Sequence, residues 1–511
     1  MQLTAEQITN LLTDEYLLQE TPDFKGVFTH LAYNSNDVQT GTLLFIKGNF
    51  KPEYLVDAMA KGVQGIVAPV GFVHDTDLPT WTVDEVMPAM SILSMAFYGN
   101  PQQQLSLIGI TGTKGKTSST YMAYEILKQA TGDRVALSST LEVITGNDAE
   151  HHYRAKLTTP ESVDLFRWMR EAVDNKMTHM VMEVSSQAYK LDRVYGLRFN
   201  VGVFLNISED HIGPNEHASF EEYLMCKEML LEHSDQAVIN ADSAYFEDVV
   251  THTAEFIPRD GVWLYGRGND EQGFGVDVSY TTLEETLQGS EFNVDLVGPQ
   301  AQSLKIDGDF KLDMPGDFNQ GNAVAAMLAT RLVGADADAM HDALEIVKIP
   351  GRMQVLTTAE HGTIYVDYAH NYASVAALLQ FAKTNAAVEK LSIVVGAPGN
   401  KGVSRRPGIG QAVNEGADIV YLTSDDPQFE SPEAIADEIQ ASITDGNVVV
   451  HREFDRTKAI SDAIAAAGPN DVVILAGKGL DEYQKIDGVD TPYENDWAIA
   501  QRIVQELEGA K

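Results

Sequence analysis

The sequence predicts an α/β protein of three domains, each organised on a mainly parallel β-sheet. Three observations carry that reading. The first is a recurring short apolar run that ends in glycine or polar residues. It appears at 105–110 before TGTKGKTSS, 180–184 before SSQ, 201–207 before SED and 237–239 before NAD. It returns at 364–368 before AHN, 393–395 before GAPGNKG, 418–422 before TSDDP and 472–475 before AGKG. Runs this short and rich in Val and Ile suit strands buried on both faces of a parallel sheet. The second observation is that helix-length segments, such as 119–130 and 160–175, lie between them, which gives the strand–loop–helix alternation of doubly wound units. The third is length: 511 residues imply about three domains at roughly 100–200 residues each. In such sheets ligands bind beyond the carboxyl ends of strands, where every polar cluster above sits.

The blocks follow in order. Residues 1–104 form a smaller α/β unit, with the Gly99-Asn100-Pro101 turn as its boundary. Residues 105–349 hold a phosphate-loop signal. Within them, 258–315 alternates in strand fashion (VDVSY, EFNVDLV, SLKIDGDFKLDM), which predicts a small antiparallel insertion. A helix at about 323–332, after FNQGN, then returns to the main sheet. Ile349-Pro350-Gly351 opens the third block, 350–511.

Composition narrows the function. With 36 Lys+Arg against 75 Asp+Glu the formal charge is -39, which argues against nucleic-acid binding and against an anionic membrane surface. A single cysteine, Cys226, excludes a disulfide scaffold and points to a reducing, cytoplasmic setting. The first residues carry acids where a signal peptide needs a basic start, and no long apolar window predicts membrane insertion. A chain this acidic that binds phosphate must gather its cations where the phosphates go, so glycines and lysines found together mark the sites.

The strongest local signal is Gly112-Thr113-Lys114-Gly115-Lys116-Thr117-Ser118, between an apolar strand and a helix. Glycines let backbone N–H groups approach phosphate oxygens, and a helix N-terminus favours the anion. Lys116 can reach the β- and γ-phosphates and Thr117 can ligate Mg²⁺. Ile110 stands where the strict pattern has glycine, so the loop is tighter than the standard one. The motif implies a nucleotide but leaves kinase, switch ATPase and ligase open. Glu183 ends a buried strand, where a carboxylate is costly unless a cation or metal pairs with it. Asp210-His211 follows another strand in the same way, and Lys227 lies in a helical stretch.

TGTKGKTSS, MEVSSQAY, NISEDHIG, YLMCKEML, GDFNQGNAVAA, PGRMQ, VDYAHN and AGKGLDEYQ occur in that order. In motif and spacing the chain resembles the Mur ligases, the ATP-dependent amino-acid-adding enzymes of peptidoglycan precursor synthesis. The resemblance covers nearly the whole chain and is nearest to the branch that acts on UDP-N-acetylmuramoyl-L-alanyl-D-glutamate. It implies a uridine-binding N-terminal domain, around Ser35 and the segment 42–45, then a central ATP-binding domain, then a Rossmann-like domain for the amino acid. Folylpolyglutamate synthetases share the central fold but lack this N-terminal type. The resemblance also assigns roles. Residues 112–118 would hold the ATP phosphates, with Asn319 and Asn322 near the adenine and Arg352 and Asp367 closing onto the nucleotide. Thr117, Glu183 and His211 would ligate Mg²⁺. Lys227 matches a carbamylated lysine, whose anion would ligate a second Mg²⁺. Thr158, Thr159, Ser185 and Arg193 match contacts to the UDP-muramoyl dipeptide, although this chain has Thr-Thr-Pro and Ser-Ser-Gln where other members have Thr-Thr-Gly and Ser-Ser-His. The implied chemistry is an acyl phosphate made from ATP and the D-Glu side-chain carboxylate, then attack by the amine of the incoming amino acid. A monomer is expected.

The amino acid is read from Asp425-Asp426-Pro427-Gln428. Members that add meso-diaminopimelate carry Asp-Asn-Pro-Arg there, with the arginine suited to that substrate's second carboxylate. Here Gln428 is neutral and Asp426 adds an acid, which predicts a preference for an ammonium terminus and hence L-lysine, with L-ornithine as the near alternative. Arg406 matches the arginine that takes the α-carboxylate. Gly477 lies in the same pocket, and Asp481, with Glu482 behind it, is the expected contact to the α-amine.

Overall fold

A computed structural model describes residues 1–210, 212–213, 216–268, 275–384 and 387–509. The chain divides into two compact units. One comprises Met1–Ser279, Asp295–Asp307 and Asn322–Ala343, and the other Tyr280–Val294, Gly308–Gly321 and Leu344–Lys511.

Three sheets lie wholly or largely in the first unit, the smallest pairing Leu3–Thr4 with Val27–Phe28. A five-stranded one runs in the order Leu18–Glu20, Thr80–Val83, Val63–Pro69, Thr42–Phe45, His30–Ala32, parallel except at its first pair. Trp81, Phe28, Phe45 and Leu43 are completely buried in its core. The larger sheet places Val135–Ser138, His179–Glu183, Ser106–Thr111, Phe199–Phe204, Ser234–Asn240 and Val262–Arg267 side by side and parallel. Glu142–Ile144 and His152–Arg154 extend it antiparallel at one edge. Its central strands are buried on both faces, so each apolar run of the sequence became a strand with its polar successor at the carboxyl end.

The second unit is built on six strands ordered Gln354–Thr357, Thr363–Asp367, Val472–Ala476, Leu391–Val395, Ile419–Leu422, Val449–Arg452, of which all but the first pair run parallel. A hairpin of Tyr483–Ile486 and Val489–Pro492 stands beside it in sequence. Among the described residues no helix is long and apolar enough to cross a membrane.

Two expectations are corrected. The segment 258–315 is not antiparallel throughout. Val262–Arg267 joins the main sheet parallel to Ser234–Asn240, because Val262, Trp263, Leu264 and Tyr265 are all buried, as a strand covered on both faces requires. Antiparallel pairing is seen further on, where Ser290 to Val294 oppose Leu312 to Gly308, while Ser303 and Leu304 lie in a turn and 305–307 form no strand. The helix after this segment begins at Asp317, six residues early, and runs Asp317–Leu332. An acid in its first turn favours that start, and Gly321 fits inside it because an added Cβ would lie 2.8 Å from the Tyr280 hydroxyl.

One ion pair anchors the second unit. The helix Arg456–Ala466 is capped by Asp455 and begins with a buried arginine. Arg456 donates from Nε and Nη2 to the two oxygens of Asp496, at 2.8 and 2.7 Å, and from Nη2 to the Ala476 carbonyl at 2.8 Å. Both side chains are 0% exposed. Arg456→Met would strand a buried carboxylate. We expect a loss of about 3–5 kcal/mol in denaturant unfolding, and an unchanged midpoint would refute the assignment.

Candidate active site

The strand Ser106–Thr111 delivers Gly112 to Ser118 to the start of the helix Lys116–Thr131. Gly115 must be glycine. Its φ is +82, and an added Cβ would sit 2.3 Å from Asn322 Oδ1. Asn206 braces the loop from the neighbouring strand end: its Oδ1 accepts the Lys114 N–H at 2.9 Å and its Nδ2 donates to the Lys114 carbonyl at 3.1 Å. Thr113 is pinned as well, with its hydroxyl 3.1 Å from Tyr223 Oη and accepting the Ser208 N–H at 3.0 Å.

Two lysines converge on one carbonyl. Lys116 Nζ and Lys227 Nζ each donate to the Gly112 oxygen at 2.8 Å. Lys227 comes from the helix Phe220–Glu232 and is only 2% exposed. Burial, then the charge of Lys116, depress its ammonium well below the ordinary lysine range. Lys114 Nζ lies 3.4 Å from Asp210.

Glu183 is fully buried at the end of its strand. Its carboxylate accepts the Thr117 hydroxyl at 2.9 Å, the Thr140 N–H at 2.8 Å and the Thr140 hydroxyl at 2.9 Å. A buried carboxylate with two hydroxyls on it is an all-oxygen donor set, which fits Mg²⁺. His211 lies outside the described residues.

The residues expected to contact the dipeptide lie together around this acid. The Thr159 hydroxyl donates to the Glu183 carbonyl at 3.0 Å and accepts the Ser185 N–H at 3.0 Å. Thr158 receives the Thr140 hydroxyl at 3.2 Å. Arg193 donates to the Thr159 carbonyl at 3.3 Å and pairs with Glu161, which also takes Lys47 Nζ at 2.8 Å. Ser35 shares no described contact with this group. It begins the turn Ser35–Asp37, where its carbonyl accepts Lys61 Nζ at 3.0 Å.

In the second unit, Asp367 ends the strand Thr363–Asp367 and accepts the Met353 and Ala369 N–H groups at 2.9 and 2.8 Å. Asn319 donates to the Pro315 carbonyl at 2.7 Å. Lys478, 1% exposed, donates to Asp426 at 2.9 Å and to Asp481 at 3.1 Å. Burial lowers its ammonium, but Asp425, Asp481 and Asp426 outweigh that and raise it overall. Asp426 also accepts the Lys485 N–H at 3.0 Å. The acid read from sequence as a receptor for an incoming ammonium therefore already holds a resident one. Burial pushes the carboxyl of Asp425 up. An added Cβ at Gly477 would lie 2.8 Å from Asp425 Oδ2, so glycine is required there. Gln428 adopts φ +52, and its N–H donates to the Lys485 carbonyl at 2.8 Å. Arg406 is buried and paired with Glu430 at 3.0 Å and Glu438 at 3.1 Å. A substrate carboxylate would have to join or displace these acids.

Residues 110–330 match the Mur ligase middle domain, and residues 351–479 match the glutamate ligase domain of the same family. The chain belongs to the Mur ligases. A Ligilactobacillus salivarius protein named UDP-N-acetylmuramyl-tripeptide synthetase is 48% identical over 511 residues, covering 99% of this chain and 100% of its own. An Enterococcus faecalis protein named UDP-N-acetylmuramoyl-L-alanyl-D-glutamate–L-lysine ligase is 42% identical over 481 residues, 94% of this chain and 92% of its own. The solved structure of a UDP-N-acetylmuramoyl-L-alanyl-D-glutamate–2,6-diaminopimelate ligase superposes with a TM-score of 0.65 at 25% identity, covering 99% of this chain and 100% of that one.

The fold is thus the three-domain α/β architecture of Mur ligases, and the protein is an ATP-dependent ligase. Within this Mur ligase Asn206 and Thr140 escaped sequence reasoning, and Lys478, which the sequence places near a ligand site, was not paired there with Asp426. Asn206 lies 92 residues from the Lys114 it braces, and Thr140 lies 43 residues from Glu183. Lys478 lies 52 residues from Asp426. Only Lys478 carried a local signal, a lysine between two glycines three positions before an acid.

Proposed function

We propose that this Mur ligase joins L-lysine to the D-glutamate of UDP-N-acetylmuramoyl-L-alanyl-D-glutamate with ATP, in the manner of a MurE-type enzyme. The observation that carries the amino-acid choice is the cluster at the strand ends of the second unit. Asp425, Asp426 and Asp481 face a single lysine, Lys478, which leaves a negative surplus for an incoming ammonium. Neutral Gln428 offers no cation to a second carboxylate. The 42% identity to a protein named as a lysine ligase supports the same choice.

We assign residues 1–104 to the UDP end of the substrate, 105–349 to ATP and 350–511 to the amino acid. The backbone of 112–118 cradles the phosphates, and Lys116, freed from the Gly112 carbonyl, turns to the transferring phosphoryl group. Mg²⁺, held by Thr117, Glu183, His211 and a carbamate on Lys227, would neutralise charge on that group. Thr158, Thr159, Ser185 and Arg193 hold the dipeptide so that its side-chain carboxylate reaches the γ-phosphorus. The acyl phosphate forms as ADP leaves, and the amine attacks the acyl carbon and expels phosphate. Asp425 holds the side-chain ammonium of the lysine, Asp481 its α-amine and Arg406 its α-carboxylate.

Incorporation of lysine, ornithine and meso-diaminopimelate into the UDP-muramoyl dipeptide, each with ATP and Mg²⁺, tests the reading. Lysine should dominate. Transfer of diaminopimelate with little lysine would overturn the amino-acid choice. ATP turnover without either co-substrate would overturn ligation.

A further inference from the structure

Tyr368 sits between two segments that the reaction uses for different substrates. It follows the strand Thr363–Asp367, and its ring is clasped by two glycines. A Cβ added to Gly351 would lie 2.3 Å from the ring, and one added to Gly479 would lie 2.7 Å from it. Both glycines have positive φ, +67 and +52, so neither position accepts a side chain without strain. The contacts continue beyond the glycines. Next to Gly351, the Arg352 guanidinium lies over the ring, 4.8 Å from its centroid. Next to Gly479, the Leu480 N–H donates to the Tyr368 hydroxyl at 3.0 Å. The Asp481 N–H then donates to the Lys478 carbonyl at 2.9 Å, closing the turn that presents Asp481.

We propose that Tyr368 is a positioning residue that links the nucleotide to the amino-acid pocket. Its ring sets Arg352, and its hydroxyl sets the 478–481 turn, so a ligand that fixes one fixes the other. Such a coupling is reciprocal: nucleotide on Arg352 tightens the amino-acid turn, and amino acid in the turn tightens the nucleotide. The chemical benefit is order in the reaction, with the amine site completed where an acyl phosphate is being made. This inference rests on the reading of Arg352 as a nucleotide contact and Asp481 as an amino-acid contact.

Tyr368→Phe removes only the oxygen that holds Leu480 and keeps the ring under Arg352 and between the glycines. In the full-length enzyme the KM for the amino acid at saturating Mg²⁺–ATP should rise about tenfold, while the Kd for Mg²⁺–ATP measured without amino acid stays within about twofold. Tyr368→Leu, which removes the ring, should raise both. Hydrogen exchange with Mg²⁺–ATP as the only ligand supplies a readout that needs no ligation. In the parent enzyme ATP should slow exchange in both 112–118 and 478–484. In Tyr368→Phe the slowing at 112–118 should persist and that at 478–484 should vanish. A parent enzyme in which ATP leaves 478–484 unchanged, or a Phe variant that keeps the parental slowing there, would overturn the coupling. A rise in the Kd for Mg²⁺–ATP alone that matches the rise in the amino-acid KM would reduce Tyr368 to a structural role and overturn it equally. A parent enzyme that ligates none of the diamino acids defeats the proposed function, and the exchange result still decides the role of Tyr368.

Discussion

Lys227→Ala should lower ligation by at least about a hundredfold, and added acetate or formate should restore part of it. The expectation starts from an electrostatic oddity. Two lysine side chains, Lys116 and Lys227, aim at the single carbonyl of Gly112, and Lys227 is almost wholly buried. A second ammonium there is disfavoured by burial and by its neighbour, which explains the strongly depressed proton affinity of Lys227. A neutral amine is the form that adds to CO₂. Its nitrogen bonds to the carbon and loses a proton, and the product is a carbamate anion. That reaction places a negative charge beside Lys116 where the neutral amine carried none, and supplies oxygen donors next to the loop proposed to cradle phosphate. The alanine variant lacks the anion, and a small carboxylate can occupy the space left behind. Ligation rates with and without added carboxylate check this, together with the intact mass of the parent in bicarbonate buffer. Full activity in the variant, or a deep loss that no carboxylate relieves, would refute the role.

Much of this was legible in the sequence because the information is local. A Val- and Ile-rich run ending at glycine encodes a buried parallel strand, and a glycine–lysine loop before a helix encodes an anion site. Residues 112–118 and the strand ending at Glu183 therefore stand where they were expected. The strand Val262–Arg267 was misread because its neighbours alternate, while its own burial on both faces is a tertiary property. The braces were invisible for the same reason. Nothing near Asn206 says that its amide will clamp Lys114, and nothing near Asp426 says that Lys478 will reach it. Pairing between strand ends is set by sheet order, and sheet order is not written in any one segment.

The pairing of Asp426 changes which acid should select the amino acid. With one of its oxygens holding both Lys478 and the Lys485 N–H, Asp426 serves the loop. Asp425 is the acid left facing the pocket glycine, Gly477. Asp425→Asn should therefore raise the KM for lysine about ten- to a hundredfold, or about 1.4–2.7 kcal/mol. Its effect on stability should have the opposite sign. Burial raises the Asp425 carboxyl above its usual 3.8, so between that value and the raised one the folded state binds more protons than the unfolded state. Stability contributed by this group is complete below pH 3.8 and is lost as pH rises through the raised value, so at neutral pH the ionised carboxylate costs stability. Asparagine removes that cost, and the variant should unfold at the same denaturant concentration as the parent or a higher one. Asp426→Asn should do the reverse, with a smaller change in lysine KM and a lower unfolding midpoint, because Lys478 loses a partner inside the fold. Selectivity and stability are thus expected to separate between two adjacent aspartates. If both variants lost lysine affinity and stability in the same proportion, the two acids would form one undivided site and the assignment of Asp425 as the selecting residue would fail.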